Sequence, residues 1–78
     1  MAEQAEQVYQ FIWNYLTQFE ELPSQQQIAY RLGFSRGEVS RAVALLRQDQ
    51  KIEPRILMPT AYRAWWRDNL AARWASPA

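Results

Sequence analysis

Residues 24–47 read SQQQIAYRLGFSRGEVSRAVALLR, and their caps and apolar spacing decide how the rest of the chain is organised. Ser24, with Gln27 three residues on, has the form of a capping box. A hydroxyl accepts from the amide of the first turn while the longer side chain reaches back to the cap. Pro23 before it keeps the entering chain extended or turning. Ile28, Ala29 and Leu32 fall on one face of a short helix. Gly33 then supplies the positive φ that ends a helix without a Cβ penalty. Ser35 with Glu38 repeats the capping box, so a second helix begins almost at once. It is expected from Arg36 to about Gln48, with Val39, Ala42, Val43 and Leu46 at i, i+3, i+4 and i+7 as its core stripe.

Two capped helices joined by a glycine-containing turn make a helix-turn-helix. A third helix is expected before them, from Ala2 or Glu3 to Phe19 or Glu20. Val8, Phe11, Ile12, Tyr15, Leu16 and Phe19 form its core stripe, and Glu3 and Glu6 suit the positive end of its dipole. Tyr9 and Trp13 widen its apolar arc to roughly 200°, where a globular helix needs only about 100°. Either the C-terminal part of the same chain or a second subunit covers that extra flank.

Projected at about 100° per residue, the helix from Arg36 places Gly37, Arg41, Ala44 and Gln48 opposite its core stripe. Ser40 and Arg47 lie along one shoulder, and Arg36 is in the first turn. Small residues let another surface approach, and the arginines donate to phosphate or to the O6/N7 edge of guanine. The same pattern also describes an ordinary solvated helix face, since surface arginine is common.

Beyond this helix, residues 51–58 read KIEPRILM. Ile52, Ile56 and Met58 alternate as in a strand, but Pro54 interrupts the run and no glycine is present for a tight hairpin tip. A last helix is expected from Thr60, as N-cap, to about Trp74. Tyr62, Trp65, Trp66, Asn69, Leu70 and Trp74 share its broad face, with Arg63, Arg67 and Arg73 at the edges. Arg-flanked aromatics stack on single-stranded bases in some proteins. At helical spacing they more often form a packing face.

With the preceding helix, FIWNYLTQFEELPSQQQIAYRLGFSRGEVSRAVALL resembles the winged-helix DNA-binding domains of bacterial and phage transcription regulators of the LexA and MarR types. Ala29 is small where the two helices would cross, Gly33 sits at the turn, and Val39 anchors the second helix. The resemblance covers about residues 8 to 58. It implies a mainly α fold, a helix-turn-helix of winged-helix type, here with a reduced wing and an extra C-terminal helix. It also implies a recognition helix in the major groove of double-stranded DNA. The family usually has a glycine just after that helix; Gln50 stands there instead, and Arg55 is the one wing residue that carries over. The DNA-facing residues are then Gln25, Ser35, Arg36, Gly37, Ser40, Arg41, Ala44, Arg47 and Arg55. Gln25 is placed at a helix N-terminus, where phosphate is favoured.

With 78 residues and 49% of them hydrophobic, one domain with a core is expected, burying about 60% of the unfolded surface. There is no cysteine or histidine, which removes disulfides, thiolate nucleophiles, imidazole acid–base chemistry and ordinary zinc sites. No enzyme activity, cofactor, metal or small-molecule ligand is expected. No apolar run approaches the ~20 residues of a membrane span, and MAEQAEQ does not read as a signal peptide. A cytoplasmic location away from membranes is expected. Net charge is only +1, but all nine basic residues lie from Arg31 onward. The acidic first helix therefore contrasts with a cationic remainder.

The residues thus point to a sequence-specific DNA-binding regulator. The working species is expected to be a homodimer joined through Tyr9, Trp13, Trp65, Trp66, Leu70 and Trp74. The low net charge keeps open a second reading, a winged-helix adaptor of phage or plasmid origin that binds protein rather than specific DNA.

Overall fold

The computed structural model describes residues 2–62 and Asp68. The fold is mainly helical, with α1 at Ala2–Phe19, α2 at Gln25–Leu32 and α3 at Arg36–Gln48. Among the described residues there is no strand, only an isolated antiparallel bridge between Ile52 and Pro59. No helix among them is long and apolar enough to cross a membrane.

Four of the helix boundaries have a local cause. α1 ends where Glu20 enters the left-handed region at φ 57°, its amide donating to the Leu16 carbonyl at 2.9 Å. At α2, the Gln27 amide donates to Ser24 Oγ at 3.1 Å while the Ser24 amide donates to Gln27 Oε1 at 2.9 Å. Both halves of the capping box are formed. Gly33, at φ 72°, closes α2, and the Phe34 amide donates to the Ala29 carbonyl at 3.0 Å. That 6→1 bond satisfies one of the carbonyls orphaned at the helix end. Ser35 and Glu38 form the second box with the same geometry, at 3.1 and 2.9 Å.

The core is built where the three apolar stripes meet. Val8, Ile12 and Leu16 of α1 face Ile28 and Ala29 of α2 and Val39, Ala42, Val43 and Leu46 of α3. Ile52, Leu57 and Tyr62 complete it from the following segment. α3 packs against both other helices and is held from two sides. Phe11, part of the expected α1 stripe, is only partly buried, and Phe19 is 53% exposed. At the helix end Phe19 passes beyond its partners and leans instead on Tyr15, with ring centroids 4.7 Å apart.

Residues 50–60 loop back on themselves without glycine. Gln50 adopts φ 60°, and the Lys51 amide donates to the Leu46 carbonyl at 2.8 Å. The amides of Glu53 and Thr60 donate to the carbonyls of Met58 and Lys51, both at 2.8 Å. The Thr60 hydroxyl, expected as an N-cap, donates backward to the Gln50 carbonyl at 2.8 Å. Buried Ile52, Leu57 and Pro59 anchor this loop, leaving Pro54, Arg55 and Ile56 exposed. Beyond Tyr62, the expected last helix falls outside the described residues.

Candidate nucleic-acid interface

α3 is fixed by its cap, its buried stripe and its two neighbours, and its opposite face is left open. Arg36, Gly37, Ser40, Arg41 and Ala44 are all exposed on that face, as is Gln48. Arg41 lies back over Gly37: a Cβ at that position would be at ordinary contact distance, 3.7 Å from Arg41 Nη2 and 4.0 Å from Ser35 Oγ. Ser35 is exposed, but its hydroxyl oxygen is engaged as the cap. Gln25 is exposed in the first turn of α2. Arg55 is exposed on the 50–60 loop rather than on the helical face.

Arg47 does not join the open face. It is partly buried, and its Nε lies in the interior without a hydrogen-bond partner among the described residues. It sits on the shoulder next to core residue Val43, so its stem is drawn along the apolar surface. Lys51, another cationic candidate, holds its Nζ over the Tyr9 ring at 5.7 Å. Both placements depend on packing between elements, which helical projection of one segment does not contain.

Glu38 sets the electrostatics at one edge of α3. Its Oε1 accepts from the Ser35 amide at 2.9 Å, and its Oε2 accepts from Gln4 Nε2 at 2.6 Å. The Ser35 amide, the Gln4 side chain and the Ser35 hydroxyl hold its carboxyl below the usual value, with Arg41 adding a smaller attraction. Gln4 thus brings the first turn of α1 beside α3. Together they border an open groove of about 300 Å³, with Gln4 and Glu38 on one rim and Arg41, Ala44, Leu45 and Gln48 along α3.

Leu45 and Gln4 are site neighbours that sequence reasoning missed. Leu45 is 38% exposed, and its signal lies in the pattern itself: of the adjacent pair Leu45 and Leu46, only Leu46 falls on the core stripe. Gln4 carries no such signal, because its approach follows from how α1 crosses α3. Tyr30, 83% exposed on the outer face of α2, is likewise not singled out by the sequence pattern.

The residues expected to join two subunits divide. Tyr9 and Trp13 are partly buried and make an edge-to-face pair at 6.4 Å. Trp13 also meets Tyr62 of the same chain at 5.6 Å, so part of the wide α1 arc is covered internally. Trp65, Trp66, Leu70 and Trp74 lie outside the described residues. Compared with models of known protein families, with curated proteins and with solved structures, the chain matches none of them.

Proposed function

We propose that this chain binds double-stranded DNA sequence-selectively as a small transcription regulator. In this reading α2 and α3 act as a helix-turn-helix of winged-helix type, and residues 50–60 form a reduced wing. The observation that carries it is the open face of α3: Arg36 and Arg41 project among Gly37, Ser40 and Ala44, small enough for a groove wall to come close. Both helices start from formed capping boxes, so this face is presented by a rigid support rather than a loop. α3 enters the major groove, Arg36 and Arg41 donate to base edges, and Gln25 at the start of α2 meets phosphate. Arg31 and Arg55 supply further phosphate contacts, with Lys51 and the terminal nitrogens of Arg47 at the margin. No catalytic step is assigned to the chain.

The working species on DNA is a homodimer. Support for it is compositional: Trp65, Trp66, Leu70 and Trp74 add more aromatic and apolar surface than a chain of 78 residues readily buries. Tyr9 and Trp13, both partly buried, are taken to border the same interface. A symmetric pair places its half-sites about 10 bp apart, or at a multiple of that, in a near-palindrome.

Replacing Arg41 by alanine tests the docking. On a duplex selected for the parent protein, the loss should be on the order of 1–3 kcal/mol, with relaxed base preference at one position. Equal binding by parent and variant would show that α3 is docked wrongly.

A further inference from the structure

We infer that the groove beside α3 receives the 5-methyl group of a thymine, with Ala44 and Leu45 forming its apolar wall. This rests on the DNA reading above and names the base chemistry that the site selects.

Arg41, Ala44, Leu45 and Gln48 stand at i, i+3, i+4 and i+7, which makes them one continuous stripe on the outer side of α3. All four are exposed, and all four border the same groove of about 300 Å³. The stripe has an apolar middle and a hydrogen-bonding side chain at each end. Seven residues of helix advance about 10.5 Å, close to the length of three base-pair steps at about 3.4 Å each. An isolated exposed leucine needs no explanation. Leu45 is not isolated: it lies between Arg41 and Gln48, side-chain types that pair bidentately with guanine O6/N7 and adenine N6/N7. The thymine methyl is the apolar group that standard bases present in the major groove.

The rim carries one carboxylate, Glu38, turned towards neighbours within the chain. A free carboxylate there would accept from the cytosine N4 amino group. Both oxygens of Glu38 already accept hydrogen bonds, from the Ser35 amide and from Gln4 Nε2. Glu38 is thereby oriented towards the N-terminus of α3 and the first turn of α1, and the apolar wall lies between the two polar ends of the stripe.

Uracil isolates the methyl group, because it keeps thymine's hydrogen-bonding edge and lacks only that substituent. The experiment measures binding of the full chain to its selected duplex, with each thymine replaced in turn by deoxyuridine. At one or two positions beside the guanine read by Arg41, replacement should weaken the parent about three- to fivefold. The Leu45→Ala variant should bind the thymine and uracil duplexes equally there, while Arg41→Ala should bind more weakly overall and keep the ratio. Leu45→Gln, similar in length and polar, should also lose the ratio, and gives a second reading if the alanine variant folds poorly. Equal binding of both duplexes by the parent at every position, or a ratio that survives both Leu45 substitutions, overturns the inference while leaving DNA binding intact. Failure to select any duplex overturns the DNA reading and this inference with it, and is recognised because no sequence is preferred.

Discussion

Glu38 ties the start of α3 to α1, since its carboxylate closes the α3 capping box and receives the Gln4 amide from α1. These bonds favour the charged form, so its folded pKa lies below the ordinary 4.5. A group shifted in this direction binds its proton less readily when folded, and the unfolded chain takes up protons first as pH falls. Its contribution to stability is therefore complete above 4.5 and is lost as pH drops below that value through the lowered folded pKa. Glu38→Gln should keep the box, as Gln27 does at Ser24, but lose this titration. Thermal melting from about pH 7 down to about pH 3 should give parent and variant curves that converge in acid. Curves that stay parallel throughout would assign the pH dependence elsewhere. Gln50 is a second informative position: it holds φ 60° without being glycine, a conformation disfavoured by about 1–2 kcal/mol. The Lys51 amide and the Thr60 hydroxyl bond across the same turn and hold it there.

In the proposed DNA reading, folding and recognition make opposite demands on α3 at Gly37. An added Cβ would meet only Arg41 Nη2 and Ser35 Oγ, at ordinary contact distances of 3.7 and 4.0 Å. Gly37→Ala should then stabilise the free protein by about 0.5–1 kcal/mol through reduced backbone entropy. It should weaken DNA binding, because the methyl group stands on the face that approaches the groove wall. A melting temperature that rises while affinity falls is the expected pair of results; unchanged affinity would move the contact away from this turn. The two capped helices are legible in the amino-acid sequence because Ser24–Gln27, Gly33 and Ser35–Glu38 are local devices whose partners lie within a few residues. The α1 stripe is legible by its period, although its stop at Glu20 has no glycine, asparagine or proline to announce it. The inward turn of Arg47, the Lys51–Tyr9 contact and the Gln4–Glu38 bond are not legible, because each joins residues brought together by helix crossing. The 50–60 loop shows a milder failure of local rules. Lack of a glycine argues against a reverse turn, yet buried Ile52, Leu57 and Pro59 hold one closed.

The chain as a whole separates its charge, with no basic residue before Arg31 and nine from there on. A net charge of +1 therefore understates the field at a cationic face, and also limits how far nonspecific attraction can carry binding. The proposed homodimer is a property of the whole molecule and is checked in solution. Sedimentation of the full chain at micromolar concentration, alone and on DNA, should report a dimer on the duplex. A 9.3 kDa monomer alone and a single chain per duplex on DNA would mean that the aromatic residues are satisfied within one chain. The proposed sequence-selective DNA binding through α3 is tested by selecting duplexes from a random pool with the purified protein and titrating the winner against salt. Two to four phosphate contacts per protomer, doubled in the dimer, predict an affinity loss between about a hundredfold and ten-thousandfold from 50 to 200 mM salt, at a slope of about 0.9 per contact. Enrichment of one motif with that salt dependence is the predicted result. A pool that stays random, or an affinity flat across the salt range, would contradict the account and favour a protein-binding adaptor.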